Sequence, residues 1–165
     1  MRSTGFFLVV SAALCGCASV SSQTNDAVRG RSAEVAADGL ISIRSPHNVP
    51  DTIERLQELA GQRDLKVFAR VDHAAGAASV GASLRPMQVL IFGNPQGGTP
   101  LMQCAQTIGI DLPLKALVWE DEASQVWLGY NDPVHLARRH GVAQCPAAGK
   151  IRTALADLAA AAVAP

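Results

Sequence analysis

The stretch that most constrains this chain lies at residues 87–102, where an apolar run (Met87 to Phe92) breaks into Gly93-Asn94-Pro95-Gln96-Gly97-Gly98-Thr99-Pro100. The run reads as a buried strand, the glycines as a tight turn, and Thr99-Pro100 as the start of a helix. A threonine at the N-cap accepts an orphan backbone N–H, and a proline at the first helical position has none to lose. Backbone N–H groups that converge at the mouth of a helix attract anions. Asn94, Gly97, Gly98 and Thr99 are therefore the candidate binding residues. A structural reading stands beside that one and accounts for every residue type in the stretch: Asn94-Pro95 turns the chain, the glycines supply positive φ, and Thr99 caps the helix. The stretch has neither the lysine of a phosphate-binding P-loop nor the glycine spacing of a dinucleotide fingerprint.

The N-terminus reads as an address. Met1-Arg2-Ser3-Thr4 precedes an apolar run too short to span a bilayer, as expected of a signal peptide. Leu14-Cys15-Gly16-Cys17 resembles a bacterial lipoprotein box, with residues 1–16 as the leader and Cys17 as the lipidated residue, carrying palmitate-type acyl chains. An ordinary secretory signal cut near Ala18, giving a soluble periplasmic protein, is the alternative. With Ala18 after the lipidated cysteine, in place of an inner-membrane retention aspartate, the expected location is the periplasmic side of the outer membrane. Residues 17–38 read as lipidated cysteine and flexible tether, with a mean reach of roughly 25 Å.

Arg2 is the leader's only charged residue, and 14 basic and 14 acidic residues balance over the whole chain. There is no run of lysine and arginine to follow a phosphate backbone, so no nucleic-acid partner is expected. Of four cysteines, Cys15 leaves with the leader and Cys17 is capped. Cys104 and Cys145 remain, and in an oxidising periplasm two leftover thiols usually pair. The alternative is a buried Cys104 and a free Cys145.

Along the body, a strand begins at Gly39, and a helix begins at Asn48 with Asp51 in a capping-box-like position. Leu65, Val67, Ala69 and Val71 alternate with Lys66, Phe68, Arg70 and Asp72, giving a strand with one buried face and Phe68 out of place on the other. Residues 74–81 suggest one or two turns of closely packed helix. Two further strands flank the polar turn 121–124 and place Trp119 opposite Trp127. Asp132-Pro133 opens another helix that Gly141 closes, and Ile151, Leu155, Leu158 and Ala162 form one stripe of a last alanine-rich helix. The expected fold class is α+β: a single antiparallel or mixed sheet of about five strands covered by helices, in β-α-β-β-α-β-β-α order, with an extra C-terminal helix. Residues 39–145 make the domain and 146–165 the added helix.

Asp72-His73 is the most reactive-looking dipeptide, since a histidine acts as a general base near neutral pH. Neighbours on a strand point to opposite faces, however, and Asp72 reads equally as the cap of the following helix. No catalytic residue is assigned; His73 and Asp72 are weak candidates only. His135 and His140 are not spaced to share a helix face, and no cysteine pair has zinc spacing, so neither a metal nor another cofactor is expected.

Several pieces taken together resemble the bacterial and archaeal family known as domain of unknown function 302. They are Val67-Phe68-Ala69-Arg70-Val71-Asp72-His73, Leu84-Arg85-Pro86, Phe92-Gly93-Asn94-Pro95, Gly98-Thr99-Pro100-Leu101-Met102, Asp111-Leu112-Pro113-Leu114, and Trp119-Glu120-Asp121 with Tyr130. The resemblance covers most of the mature chain and implies a compact α+β fold that associates as a homodimer, with no established activity. Two expectations follow. The first is a lipid-tethered periplasmic module that binds a small ligand or a protein; the second is a small enzyme with His73 as acid/base and an anion held at the 94–99 loop.

Overall fold

A computed structural model describes residues 33–165. The leader, Cys17 and the tether as far as residue 32 lie outside the described residues. Six strands form one sheet in the order β1-β2-β6-β5-β4-β3, and every pairing is antiparallel. They are β1 (Glu34–Val35), β2 (Leu40–Ser45), β3 (Lys66–Asp72), β4 (Met87–Gly93), β5 (Leu114–Glu120) and β6 (Val126–Asn131). The helices are α1 (Val49–Gln62), α2 (His73–Ser79), α3 (Pro95–Cys104), α4 (Pro133–Arg139) and α5 (Pro146–Ala162). The two-residue β1 falls inside the segment read as tether, because Glu34 and Val35 pair with Ser42 and Ile41.

The core lies between one sheet face and the helices α1 and α5. Ile41, Ile43, Leu90, Phe92, Val118 and Leu128 point from the strands onto Ile53, Leu56, Leu155 and Leu158. Each such side chain is worth about 1.5–3 kcal/mol when fully buried. The expected extra C-terminal helix is α5, and it packs beside α1 as part of the helical layer. Its C-terminal carbonyls are held by Arg55, which donates to Ala162 and Ala164 at 2.9 and 2.8 Å, and by His47 Nε2, which donates to Ala164 at 2.7 Å. Cations at a helix C-terminus complement its partial negative charge. A smaller core joins Leu101, Ile108, Leu136, Ala137 and Ala148 beneath α3, α4 and the start of α5.

Four helices start on an Asn or Asp whose side chain accepts a backbone N–H: Asn48 for α1, Asp72 for α2, Asn94 for α3 and Asp132 for α4. Helix α3 therefore begins one turn earlier than Thr99-Pro100 suggests. Thr99 lies in its second turn, and Pro100 is inside the helix. Gly97 and Gly98 are helical and are absent from the glycines of positive φ. The physical reason is register: β4 ends at Gly93, opposite Lys66, so the chain leaves the sheet at Asn94, a better cap than threonine. On β3 a bulge falls between Val67 and Ala69, leaving Phe68 and Val71 exposed, against the expectation of a buried Val71. Helix α2 forms, but it buries none of its residues.

Candidate functional site

A groove of about 910 Å³ lies at the end of the sheet where β3 begins and β4 ends. Its floor comes from Leu65, Gly93, Pro113 and Leu114. One wall is α3, through Asn94, Gly97, Gly98, Thr99 and Met102. The opposite wall is a single stripe of α5, with Ile151, Ala154, Leu155 and Leu158 at helical spacing. Asp64, in the left-handed region at φ 56, turns the chain from α1 into Leu65. Its carbonyl accepts a hydrogen bond from Asn94 Nδ2 at 3.4 Å, which sets α3 against that turn.

A disulfide joins Cys104, the last residue of α3, to Cys145, the N-cap of α5, with the Cα atoms 6.1 Å apart. The bridge therefore ties the two helical walls together at one end. Cys145 itself makes no side-chain cap hydrogen bond to α5. Closing a loop of this length contributes at most about 4 kcal/mol in the chain-entropy account.

The groove lining is mostly apolar, and its charged members are Arg63, Lys150 and Asp157. Arg63 donates to the Asp157 carbonyl at 3.4 Å. Lys150 is exposed and takes part in none of the ion pairs found among the described residues. The size falls within the range of small-molecule sites, and a mostly apolar lining with a few polar groups is their usual character.

All four residues read from the sequence as a binding loop line this groove, but they do not form an anion cradle. The Gly97 N–H donates to Asn94 Oδ1 at 2.8 Å and the Gly98 N–H to the Asn94 carbonyl at 3.1 Å. Pro95 has no N–H, and the Gly97 and Gly98 donors are spent on the helix's own start. What these residues offer a ligand is backbone surface without bulk. A Cβ on Gly98 would lie 3.6 Å from Leu112 and 4.0 Å from Met102.

Asp72 and His73 sit at the opposite end of β3 from Lys66, which pairs with Gly93 beside the 94–99 loop, so the rise of a seven-residue strand puts roughly 20 Å between them and that loop. Asp72 Oδ1 accepts the Ala75 N–H at 2.8 Å and Oδ2 accepts from Gln88 Nε2 at 3.1 Å; His73, the first residue of α2, is exposed. One hairpin thus carries the acid/base candidate His73 and the 94–99 loop at opposite ends.

The remaining histidines are structural. His135 lies over Gly39, where a Cβ would come within 2.2 Å of its ring. His140, almost buried, has Nε2 2.7 Å from Asp111 Oδ2 and Nδ1 2.9 Å from Thr107 Oγ1, while Arg139 pairs with Asp111 at 3.1 Å. This hydroxyl–imidazole–carboxylate row has its polar atoms satisfied, and it fastens α4 to the 3-10 turn Gln106–Asp111. Among the described residues, no group of three or more His, Cys, Asp or Glu side chains is placed to hold a metal. The α5 wall is what residue-by-residue reading missed: Ile151, Leu155 and Leu158 were legible as a helical stripe, but a stripe does not say that half of it faces an open groove.

A single antiparallel sheet with one helical layer and a groove between two helices defines a small α+β domain. The family whose sequence model matches, described as domain of unknown function DUF302, covers residues 41–161, and the chain belongs to it. That match takes in most of α5. A crystal structure titled as an uncharacterized conserved protein DUF302 from Bacillus stearothermophilus has the same fold. It superposes with a TM-score of 0.61 at 23% identity, covering 76% of this chain and 95% of that one. Two proteins named fluoride-specific ion channels, FluC 1 of Brucella suis and FluC 2 of Brucella melitensis, are each 50% identical over 110 residues, 67% of this chain. The aligned part spans 43% and 41% of those relatives. No helix among the described residues is long and apolar enough to cross a membrane.

Proposed function

We propose that the chain is a non-catalytic binding module of the DUF302 family, tethered to the outer membrane through acyl chains on Cys17 and facing the periplasm. Its groove takes a small amphipathic ligand. The single observation that carries this reading is the 910 Å³ apolar groove with Lys150 exposed on its lining. A ligand with an apolar body would lie along Leu112, Ile151 and Leu158 and set an acidic group near Lys150, where opposite charge favours the ionised form. An anionic amphipathic dye tests this. Ala154→Trp, which fills the groove from an exposed helix position, weakens dye binding at least about tenfold, and Lys150→Glu weakens it less. Dye affinity unchanged by Ala154→Trp would sink the reading. Cell fractionation of the parent and Cys17→Ser decides the address: the parent partitions with the outer membrane and the variant is released, whereas two soluble proteins would support an ordinary secretory signal.

The relatives favour a second reading, in which the module works beside a fluoride channel. In the Brucella proteins the stretch similar to this chain makes up less than half of a protein named for that activity. The described residues supply no membrane-crossing helix, so the pore would belong to another segment or another chain. Deleting this chain would then lower fluoride tolerance of the cell; unchanged tolerance removes the reading and leaves the groove ligand untouched.

A further inference from the structure

The two helical walls run in opposite senses along the groove, and each end has its own fastening. At one end the disulfide joins Cys104, where α3 stops, to Cys145, where α5 starts. At the other end Asn94 Nδ2, where α3 starts, donates to the Asp64 carbonyl, and the neighbouring Arg63 donates to the carbonyl of Asp157, far along α5. The lane between them follows α3, which is 10 residues and so about 15 Å long. Its charges are placed unevenly. Lys150 stands in the second turn of α5, towards the disulfide, and Asp157 stands two turns, about 10 Å, further along. The Asp157 end is balanced, with Arg63 and Lys66 against Asp64 and Asp157, whereas Lys150 has no ion-pair partner among the described residues.

What lines the lane narrows the ligand. On α5 the wall between the two charges is Ile151, Ala154, Leu155 and Leu158; on α3 it includes Gly97 and Gly98, whose N–H groups are spent within the helix start. An extended peptide or a sugar would leave amides or hydroxyls unpaired against these side chains, and a buried polar group without a partner costs free energy. A planar ring finds no indole to stack on. Both tryptophans lie on the open face of the sheet, the one no helix covers, where Trp119 is seated over Gly129: a Cβ there would approach Trp119 Cζ3 to 2.8 Å. Phe68, the one aromatic ring on the groove lining, already has Lys66 Nζ 5.3 Å from its centroid.

We propose that the ligand of the groove is the free carboxylate of a straight alkyl chain, seated with its head at Lys150 and its tail running towards Leu158 and Leu65. This rests on the reading of the groove as a small-ligand site and adds to it a class and a direction. An alkyl tail has no polar atom to satisfy, and it can follow a lane between two helices that a branched or bulky ligand cannot. A single carboxylate matches Lys150, the one lining cation that no anion opposes. A second acidic group at the far end of the tail would meet Asp157. A phospholipid head, larger and carrying both signs, has no matching pair of charges at the Lys150 end.

Calorimetric titration of straight-chain carboxylates, from hexanoate to hexadecanoate, into the full chain carrying Cys17→Ser tests it without detergent. Each added methylene tightens binding about fourfold while the tail lies inside the lane, and the gain stops once the tail outgrows it. The methyl ester of the tightest acid binds about threefold weaker. Lys150→Gln removes that difference and Arg63→Gln leaves it in place; both side chains are exposed, so both variants keep the parent's circular dichroism spectrum. The proposal is overturned, and the groove keeps a ligand of another class, if the anionic dye binds and no carboxylate displaces it. Affinity that still rises at hexadecanoate also overturns it, as does an acid preference lost in Arg63→Gln rather than Lys150→Gln. Lysophosphatidylcholine that binds as tightly as the carboxylate of equal tail overturns the choice of head. If neither dye nor carboxylate binds, the small-ligand reading itself falls.

Discussion

The two ends of the β3–β4 hairpin are built by the same device and come to different uses. At one end Asp72 leaves a strand and caps α2; at the other Asn94 leaves a strand and caps α3. Each side chain accepts an N–H three residues on at 2.8 Å. Only the second helix has a partner, because α3 stands across the groove from α5 and is bonded to it through Cys104. A strand-to-helix corner is thus not a site by virtue of its cap. It becomes one when a second wall, supplied about fifty residues later in the chain, stands opposite it.

Removing that second attachment is the strongest way to break the comparison. Replacing Cys104 and Cys145 by serine should lower the unfolding free energy by up to about 4 kcal/mol in urea titration. It should also weaken dye binding, as the walls lose their common end. Dye affinity unaffected by the loss of the bridge would mean that the sheet alone sets the groove. Next in size is Asn94→Ala, which removes the cap of a helix lining the groove: about 1 kcal/mol of stability, with a measurable loss of dye affinity. The matching change at the other end, Asp72→Ala, should cost roughly 0.5 kcal/mol, because the helix it caps buries nothing, and should leave dye binding alone. If the two cap removals affected dye binding equally, the ends would not be as distinct as the packing says.

Acid should single out the Asp72 end. There Asp121 accepts from Trp127 Nε1 at 2.7 Å and from the Gln125 N–H at 2.9 Å, and these bonds, the first foremost, hold its carboxyl below the ordinary 3.8. A depressed folded pKa means stabilisation that is present above the unfolded value and lost as the pH falls below it, through the folded one. Tryptophan emission of the native protein should accordingly change below about pH 3.8 in the parent and not in Asp121→Asn, while groove binding shows no step assignable to this group. Smallest of all is His73→Ala, expected to change stability by less than about 0.5 kcal/mol and dye binding not at all. A loss of binding there would revive the histidine as a functional residue.

Much of this was legible in the residues. Asn48 and Asp132-Pro133 announced their helices, the polar turn 121–124 announced the β5–β6 hairpin, and two leftover cysteines pointed to each other. The start of α3 was ambiguous for a definite reason. Asn94-Pro95 and Thr99-Pro100 are the same signal five residues apart, and only the end of the β3–β4 ladder at Gly93 decides between them. The groove was half legible: Asn94, Gly97, Gly98 and Thr99 stood out as one stretch, but local rules count N–H groups without seeing that Asn94 accepts those of Gly97 and Gly98. Burial on β3 was misjudged because alternation gives a strand its two faces but not its place in the sheet. Val71 lies on an edge strand, on the face that no helix covers.

The seating of Trp119 over Gly129 has a practical consequence. The chain has two tryptophans, and both lie on the open face, stacked on each other, with Arg44 5.1 Å from the Trp127 ring centroid. Neither lines the groove. Intrinsic fluorescence is therefore a built-in reporter for one surface alone: covering the open face would move the emission, whereas filling the groove would leave it unchanged. An unlabelled protein can in this way say which of its two surfaces has been occupied.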